Sequence, residues 1–452
     1  MRLANSTVFH KFLLLFLMFL LPVIYATAQE NSPYSRYGIG DLVPNHNISQ
    51  RGMGGACIAD TNQMLINTIN PAALANIRRT IFDFAAEIDV RTLRSTTNPE
   101  KYTGANTIIS YIQFNFPLTP KKWREKGNTW ALNFGLQPIS RINYKIQKNE
   151  RKPLPPLSDS LVTIYEGNGG LNKFNIGTAM KFKNLRIGVS SGYAFGSKDF
   201  STRLAFVNDS VVYYKSNTQS HVNFGGIFLN AGAQYQFKLN PKEDSIPRQQ
   251  FLSLGAFVNF QQSMRAKQDM VQELFVYDES GDIVPLDTVK YNQSTKGTLV
   301  MPMTFGAGVN YSSWHWTAAL DFQYSNWTAY RYFGSSDNVQ NSWMLRGGVE
   351  YFPASITSYW KTVKYRIGGY YGTDYIKLNK SRPYFAATAG ASFPLTPYNR
   401  LSGSDRDQVV LHVALEFGAR GNNQSLGVKE NITRIGLGLT VNSSWFMKRS
   451  YY

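Results

Sequence analysis

The sequence predicts an all-β fold, a transmembrane antiparallel β-barrel of about fourteen strands with an N-terminal plug (hatch) segment. Three observations predict it. From about Ile81 to Trp445, apolar residues alternate with small or polar ones. Trp130, Leu132, Phe134 and Leu136, for example, are set against Ala131, Asn133, Gly135 and Gln137. Side chains on a strand point to opposite faces in turn, so each segment has one apolar face and one wet face. The connections between these segments are alternately short and long, as a barrel with one periplasmic and one extracellular rim requires. Finally, 14% of the residues are aromatic, with 27 Tyr and 36 Gly. Tyr and Trp suit the membrane interfaces, and Gly suits crowded walls and turns.

Residues 1–28 read as a secretory signal. Arg2 and Lys11 are basic, Phe12 to Tyr25 is apolar, and Ala26-Thr27-Ala28 fits the cleavage rule, so the mature chain is expected to begin at Gln29. The apolar run is shorter than the roughly twenty residues a membrane-spanning helix needs. Residues 29–79 form the expected plug. They carry Pro33, Pro44, the cluster Gly52, Gly54 and Gly55, and Asn70-Pro71-Ala72, without clean alternation. Proline pushes the preceding Asn70 out of helical space and fixes its own φ, so the spacing predicts a rigid corner. A short helix from Pro71 to Ile77, capped by Asn70, is expected to follow it. The glycines shape this segment, and the Asn70 corner is a candidate gate.

The barrel is expected over 80–452. Strands begin near Ile81, Thr107, Thr129, Lys173, Leu185, Val222, Phe251, Leu299, Ser313, Trp343, Lys364, Tyr384, Val409 and Thr433. Lys183-Asn184 and the step around Ser312 read as tight turns. Lys148 to Leu171, Lys198 to His221 and Ala266 to Gly297 read as long extracellular connections. Within the last, Leu274, Phe275, Val276 and Tyr277 are either a capture site for an apolar ligand or part of a protruding hairpin. The apolar final strand ends in Trp445, Phe446 and Tyr451-Tyr452, as a closing strand facing lipid should.

The plug segment carries a family resemblance. Gly52-Met53-Gly54-Gly55-Ala56, then Asp60, then Asn70-Pro71-Ala72-Ala73-Leu74 resembles the start of FadL-type outer-membrane transporters. Ser32-Pro33-Tyr34-Ser35-Arg36-Tyr37-Gly38 resembles relatives of that family common in Bacteroidetes. The resemblance implies a Gram-negative outer-membrane location, a plugged barrel and a route for a hydrophobic small-molecule ligand. The ligand would be captured at the outer rim and would leave sideways through the wall. The substrate classes it implies are long-chain fatty acids and aromatic hydrocarbons. Some relatives resemble scaffolds that serve secretion or surface attachment, which implies a protein partner at the extracellular loops as the alternative.

Charge and chemistry narrow the remaining classes. The formal charge is +18, or +16 without Arg2 and Lys11. On a barrel this fits membrane lipids and lipopolysaccharide at the rims better than nucleic acid. The alternation turns Arg186, Asp321, Arg346, Glu350, Arg366, Asp374, His412, Glu416, Arg420 and Arg434 inward. Inward charges are costly unless paired or wet, so ion pairs between wall and plug are expected. One of Arg346, Arg366 and Arg434 could instead grip a ligand carboxylate. The histidines of the mature chain are His46, His221, His315 and His412. His315 and Asp321 are expected in the lumen but well apart. No nucleophile motif, metal-ligand spacing or phosphate loop accompanies them, so neither an enzyme nor a cofactor is expected. Cys57, the single cysteine, sits among small apolar residues and reads as buried and structural. A closed barrel leaves no strand edge to cover, so a monomer is expected.

Overall fold

The computed structural model describes residues 32–95, 101–154, 157–206, 214–241, 243, 248–278, 283–355, 358–378, 380–396, 408–421 and 428–443. The expected signal segment and the aromatic C-terminus from Trp445 lie outside these. Eighteen strands form one sheet. They are β1 (Asp41–Leu42), β2 (Thr80–Ser95), β3 (Lys101–Pro117), β4 (Thr129–Leu154), β5 (Leu157–Phe182) and β6 (Leu185–Phe206). Next come β7 (Lys215–Lys238), β8 (Phe251–Asn259), β9 (Gln262–Tyr277), β10 (Ile283–Met301), β11 (Thr304–Ser312) and β12 (Trp316–Ser325). The last are β13 (Arg331–Tyr332), β14 (Ser342–Tyr351), β15 (Lys364–Thr373), β16 (Pro383–Pro394), β17 (Gln408–Arg420) and β18 (Val428–Ser443).

The sheet closes where β18 pairs with β2, and neighbours run antiparallel throughout. The barrel has fourteen wall strands. β8 and β9 are one wall strand interrupted at Phe260-Gln261, and β10 and β11 are one interrupted at Pro302-Met303. β1 and β13 are short additions outside this count. Proline cannot donate to a ladder, which accounts for the break at Pro302. The outer face carries the apolar half of the alternation. Ile187, Val189, Ile227, Leu320, Ile367 and Phe417 are all exposed. An aromatic girdle containing Trp316, Tyr351, Trp360 and Tyr365 marks the short-turn rim, with the Trp316 and Tyr351 rings tilted against each other at 4.6 Å. This is the lipid-facing surface of a transmembrane barrel of the outer-membrane type.

The wall is uneven in height. β12, β14 and β15 have 10 residues each, close to the minimum for crossing a bilayer, whereas β4 and β5 have 26, β6 has 22 and β7 has 24. The segments read from sequence as long connections are therefore largely strand. Lys148 pairs with Thr163, Thr202 with Thr218, and Lys215 with Phe275, so the hairpins continue the sheet far above the lipid belt. Above the membrane neither face meets lipid, so the apolar contrast that reveals a strand fades. Phe275 is fully buried in the hairpin of β9 and β10, which is the protruding-hairpin alternative rather than an open capture site. His315 also departs from expectation. It lies exposed in the turn between β11 and β12, where the reversal of the chain ends the inward-outward count.

Residues 32–79 pack inside the wall. Asn70 accepts the Ala72 N–H at 3.1 Å and caps a 3-10 helix, Pro71–Asn76, while its amide donates to the Ile58 carbonyl at 2.7 Å. A four-residue helix α1 (Ile48–Arg51) is capped by Asn47. Gly54 takes φ 70° and donates its N–H to Thr388 at 2.8 Å, so its turn sits on β16. On the opposite wall, a Cβ at Gly188 would lie 2.5 Å from the Pro71 carbonyl. The wall thus has no side chain where the corner docks. Cys57 is buried and unpaired. We expect Gly188→Leu to push the corner off β6 and cost at least about 2 kcal/mol, since overpacking a tight contact costs in this range. A lower urea midpoint, followed by heat-modifiable gel migration of the barrel, checks it.

Candidate functional site

The lumen is organised by charge. Arg51 on α1 bridges Glu87 on β2 and approaches Glu416 on β17 at 3.4 Å. Glu416 pairs with Arg434 on β18 at 2.5 Å, and Arg434 approaches Asp89 on β2 at 3.4 Å. Asp89 holds Arg91 at 2.9 Å, and Arg91 holds Asp41 on β1 at 2.6 Å. Asp41 also pairs with Arg420, which pairs with Asp374 at 2.9 Å. Asp374 pairs with Arg382 at 2.9 Å, and Arg382 lies 3.6 Å from Glu430. All of these residues are buried. The chain is continuous, with cations and anions nearly equal in number, so each charge removed from water meets an opposite one.

A second network surrounds His412. Its Nδ1 meets the Ser392 hydroxyl at 2.6 Å and its Nε2 meets Thr440 at 3.0 Å. Thr440 donates to Asp83, which accepts from Asn47 of the inner segment at 2.5 Å. Arg366 joins through Ser392 and pairs with Glu350 at 2.5 Å. Asp60 lies apart from both networks and accepts from Gln50 and from the Asn62 N–H, each at 2.9 Å.

Between the inner segment and the wall is a cavity of about 290 Å³. Phe228, Phe257, Phe260, Met301, Trp327 and Trp343 give it an apolar lining, and Gly54, Gly55, Lys173 and Arg346 also face it. The structure separates the three arginines that the sequence could not rank. Arg366 and Arg434 are held by carboxylates. Arg346 donates to Gln323 at 3.1 Å and, among the described residues, makes no ion pair. Lys173 faces the same cavity and, among the described residues, its ammonium meets the Phe228 ring, 5.5 Å away, and no carboxylate. The sequence reading missed Lys173, and it also missed Asp41, Arg51, Glu87, Asp89, Arg91, Arg382 and Glu430. On β2 the signal was present, since Asp83, Glu87, Asp89 and Arg91 share the period-two inner face.

The wall has a seam beside this site. β3 and β4 hydrogen-bond only between Ile112–Pro117 and Ala131–Leu136. Beyond that, β4 slips register against β5 between Pro138 and Ser140 and parts from β3. The inner segment takes the vacated edge. Asp41 and Leu42 pair with Arg141 and Ser140, and the Val43 N–H donates to the Ile139 carbonyl at 3.0 Å. Leu42 is 41% exposed and lines the main cavity. Leu42, Val43 and Pro44 line both the main cavity and a small pocket behind the seam. Ile108 and Arg141 line both that pocket and an outer groove. β1 is thus the partition between the lumen and the membrane side. The Asn70 corner lies elsewhere, against β6 and β7.

These features define a transmembrane barrel with an inner segment packed in its lumen, and solved structures share its fold. The CymD monoaromatic hydrocarbon channel matches with 14% identity over 91% of this chain and 100% of that chain, with a TM-score of 0.52. A Pseudomonas aeruginosa FadL homologue matches with 12% identity over 90% and 100%, with a TM-score of 0.54. The Pseudomonas putida toluene transporter TodX matches with 13% identity over 89% and 99%, with a TM-score of 0.51. At such identities the likeness is one of fold. No curated protein matches the chain. The BamG family model matches residues 8–452, and the chain belongs to the BamG family. The FadL-type resemblance read from the sequence therefore describes its architecture, and its family is BamG.

Arg420→Met should leave Asp41 and Asp374 buried without their shared cation. Breaking a buried pair from one side costs about 3–5 kcal/mol, so a matching fall in unfolding free energy is expected, with faster proteolysis of the inner segment. Adding Asp374→Asn should recover part of the loss. A double-mutant cycle from urea unfolding reads both effects.

Proposed function

We propose that the protein binds hydrophobic small molecules in the lumen and passes them across the outer membrane, with exit through the β3–β4 seam. The observation that carries this reading is the largely apolar cavity faced by two cations, Arg346 and Lys173, that make no salt bridge among the described residues. An amphiphile with an acidic head group, such as a fatty acid, completes that balance. Its tail lies among Phe228, Phe257, Trp327 and Trp343, and its carboxylate takes the Arg346 fork. Lys173 adds a second charge without a fixed geometry. Release requires β1 to leave the β4 edge, because β1 separates the cavity from the groove. The Gly52–Gly55 turn and the Asn70 corner act as anchors that keep the rest of the plug seated while β1 moves.

One observation favours a second reading, in which the barrel holds another protein at its extracellular side. The tall wall of β4 to β10 rises far above what a transport cavity needs, and Val284, Leu286, Val289 and Tyr291 are exposed on its last strand. If the purified protein binds neither a long-chain fatty acid nor an aromatic hydrocarbon, this second reading takes precedence.

Calorimetry with a long-chain fatty acid and with toluene tests the first reading. Arg346→Ala should weaken fatty-acid binding at least about tenfold, the worth of one charge-assisted hydrogen bond, and leave toluene binding unchanged. Equal loss of both ligands would remove the head-group role. Leu42→Cys with Ser140→Cys, placed on directly paired residues, should lock β1 to β4 when oxidised. Uptake into proteoliposomes should then stop and return on reduction, while binding in detergent persists. Uptake unaffected by the crosslink would sink the seam route.

A further inference from the structure

Lys173 and Arg346 face one cavity of about 290 Å³ from opposite walls. On β5 the inward positions are Leu171, Lys173, Asn175, Gly177 and Ala179, while Phe174 and Ile176 are exposed on the lipid side. The partner of Lys173 on β4 is Gln137, and its partner on β6 is Ala194. Its four inward neighbours, Leu171, Asn175, Gln137 and Ala194, are uncharged and buried. No acidic group among the described residues acts on the Lys173 charge. The ammonium is thus set into a corner of apolar and amide groups, with the Phe228 ring as its contact.

Arg346 is held differently. It donates to Gln323 at 3.1 Å. Asp321, directly opposite on β12, acts on its charge without making an ion pair with it. The Asp321 Oδ2 instead accepts the Cys57 and Ile58 N–H groups, at 2.5 and 2.7 Å. Between the two cations the lining follows the wall, from Phe228 on β7 and Phe257 on β8 to Met301 at the end of β10 and Trp343 on β14. The passage from β5 to β14 covers close to half the circuit of fourteen wall strands. With strands about 4.8 Å apart and tilted by about 40°, a barrel of that size places the two backbones roughly 25 Å apart. Both side chains reach inward and shorten this gap, but one carboxylate cannot span what is left. The cavity is an apolar arc with a cation at each end.

A ligand with a single head group would satisfy Arg346 and leave the Lys173 ammonium buried without a counter-ion, which is costly away from water. We propose that the ligand is a two-headed amphiphile, an α,ω-dicarboxylate with an apolar chain. This rests on the reading of the cavity as a lumen ligand site. One carboxylate takes the Arg346 guanidinium, and the chain lies along Phe228, Phe257, Met301 and Trp343. The other carboxylate meets the Lys173 ammonium. Once the first head is bound the second pairing is intramolecular, so it adds affinity without a second loss of translational freedom.

The test is titration calorimetry of the full barrel in non-ionic detergent with hexadecanoate, hexadecanedioate and the monomethyl ester of hexadecanedioate. The diacid should bind with one molecule per barrel and at least about tenfold more tightly than hexadecanoate, the worth of a charge-assisted hydrogen bond. The monoester has the same chain with one head capped, and it should fall back to the hexadecanoate level. Lys173→Met should bring the ratio of the two acids' affinities close to one, and Lys173→Arg should retain the preference. Lys126→Met, exposed in the turn between β3 and β4, should also retain it. Heat-modifiable gel migration confirms that each variant is folded, and the monoester comparison needs no variant. Equal affinity of wild type for the two acids would overturn the proposal. So would two hexadecanoates per barrel with no gain for the diacid, or a preference that survives in folded Lys173→Met. Failure here is distinct from failure of the transport reading. Hexadecanoate binding that needs Arg346, with no gain from a second carboxylate, removes the two-headed ligand alone. Absence of binding by both acids and by toluene removes the transport reading as well.

Discussion

The buried charge chain from Arg51 to Glu430 is the constraint on which the rest of the molecule depends. It ties α1 and β1 of the inner segment to β2, β17 and β18, and to the segment between β15 and β16. Asp41 is its hinge, because it touches both Arg91 and Arg420. In a lumen shut off from bulk water, a carboxylate or guanidinium without its partner would be far more costly than at a surface. The inner segment is therefore seated by a set of pairings that must all be met together. The hydrogen-bond path through His412 adds a second attachment through Asn47.

The same tethers frame the seam. β4 bends at Pro138–Ser140, gives up β3, and would expose a bare edge within the membrane, where unpaired backbone groups are costly. β1 satisfies part of that edge at Ser140 and Arg141. Asp41, pinned by arginines on β2 and β17, helps hold it there. The wall is thus completed by the segment inside it, and the partition between cavity and groove is a two-residue strand rather than a wall strand. A short pairing of this kind can separate at far less cost than a full ladder of barrel hydrogen bonds. This is why the proposed route runs past β1 and not through the Asn70 corner, whose carbonyl and amide contacts are locked against β6 and β7.

Much of the barrel was legible because lipid on one side and a polar lumen on the other impose a period of two on every membrane-crossing segment. The start of the inner 3-10 helix was legible from Asn70-Pro71, since proline restricts both residues locally. The upper hairpins were not. There both faces meet water or other protein, and strands such as β9 and β10 lose the contrast that marks a lipid face. His315 was misplaced for a related reason, because a turn resets the count of inward and outward positions.

The lumen charges show where the sequence stops. Alternation alone places Arg346, Arg366 and Arg434 on the inner face. Which of them is left without a salt bridge among the described residues depends on the neighbouring strands, with Glu350 meeting Arg366, Glu416 meeting Arg434 and Gln323 accepting from Arg346. The sequence by itself determined the class of fold, the facing of most wall residues and the rigid corner at Pro71, because these follow from local sterics and from the two solvents. Tertiary structure decided the pairing of charges and the seam, because each depends on which distant strands the closure of the barrel brings together.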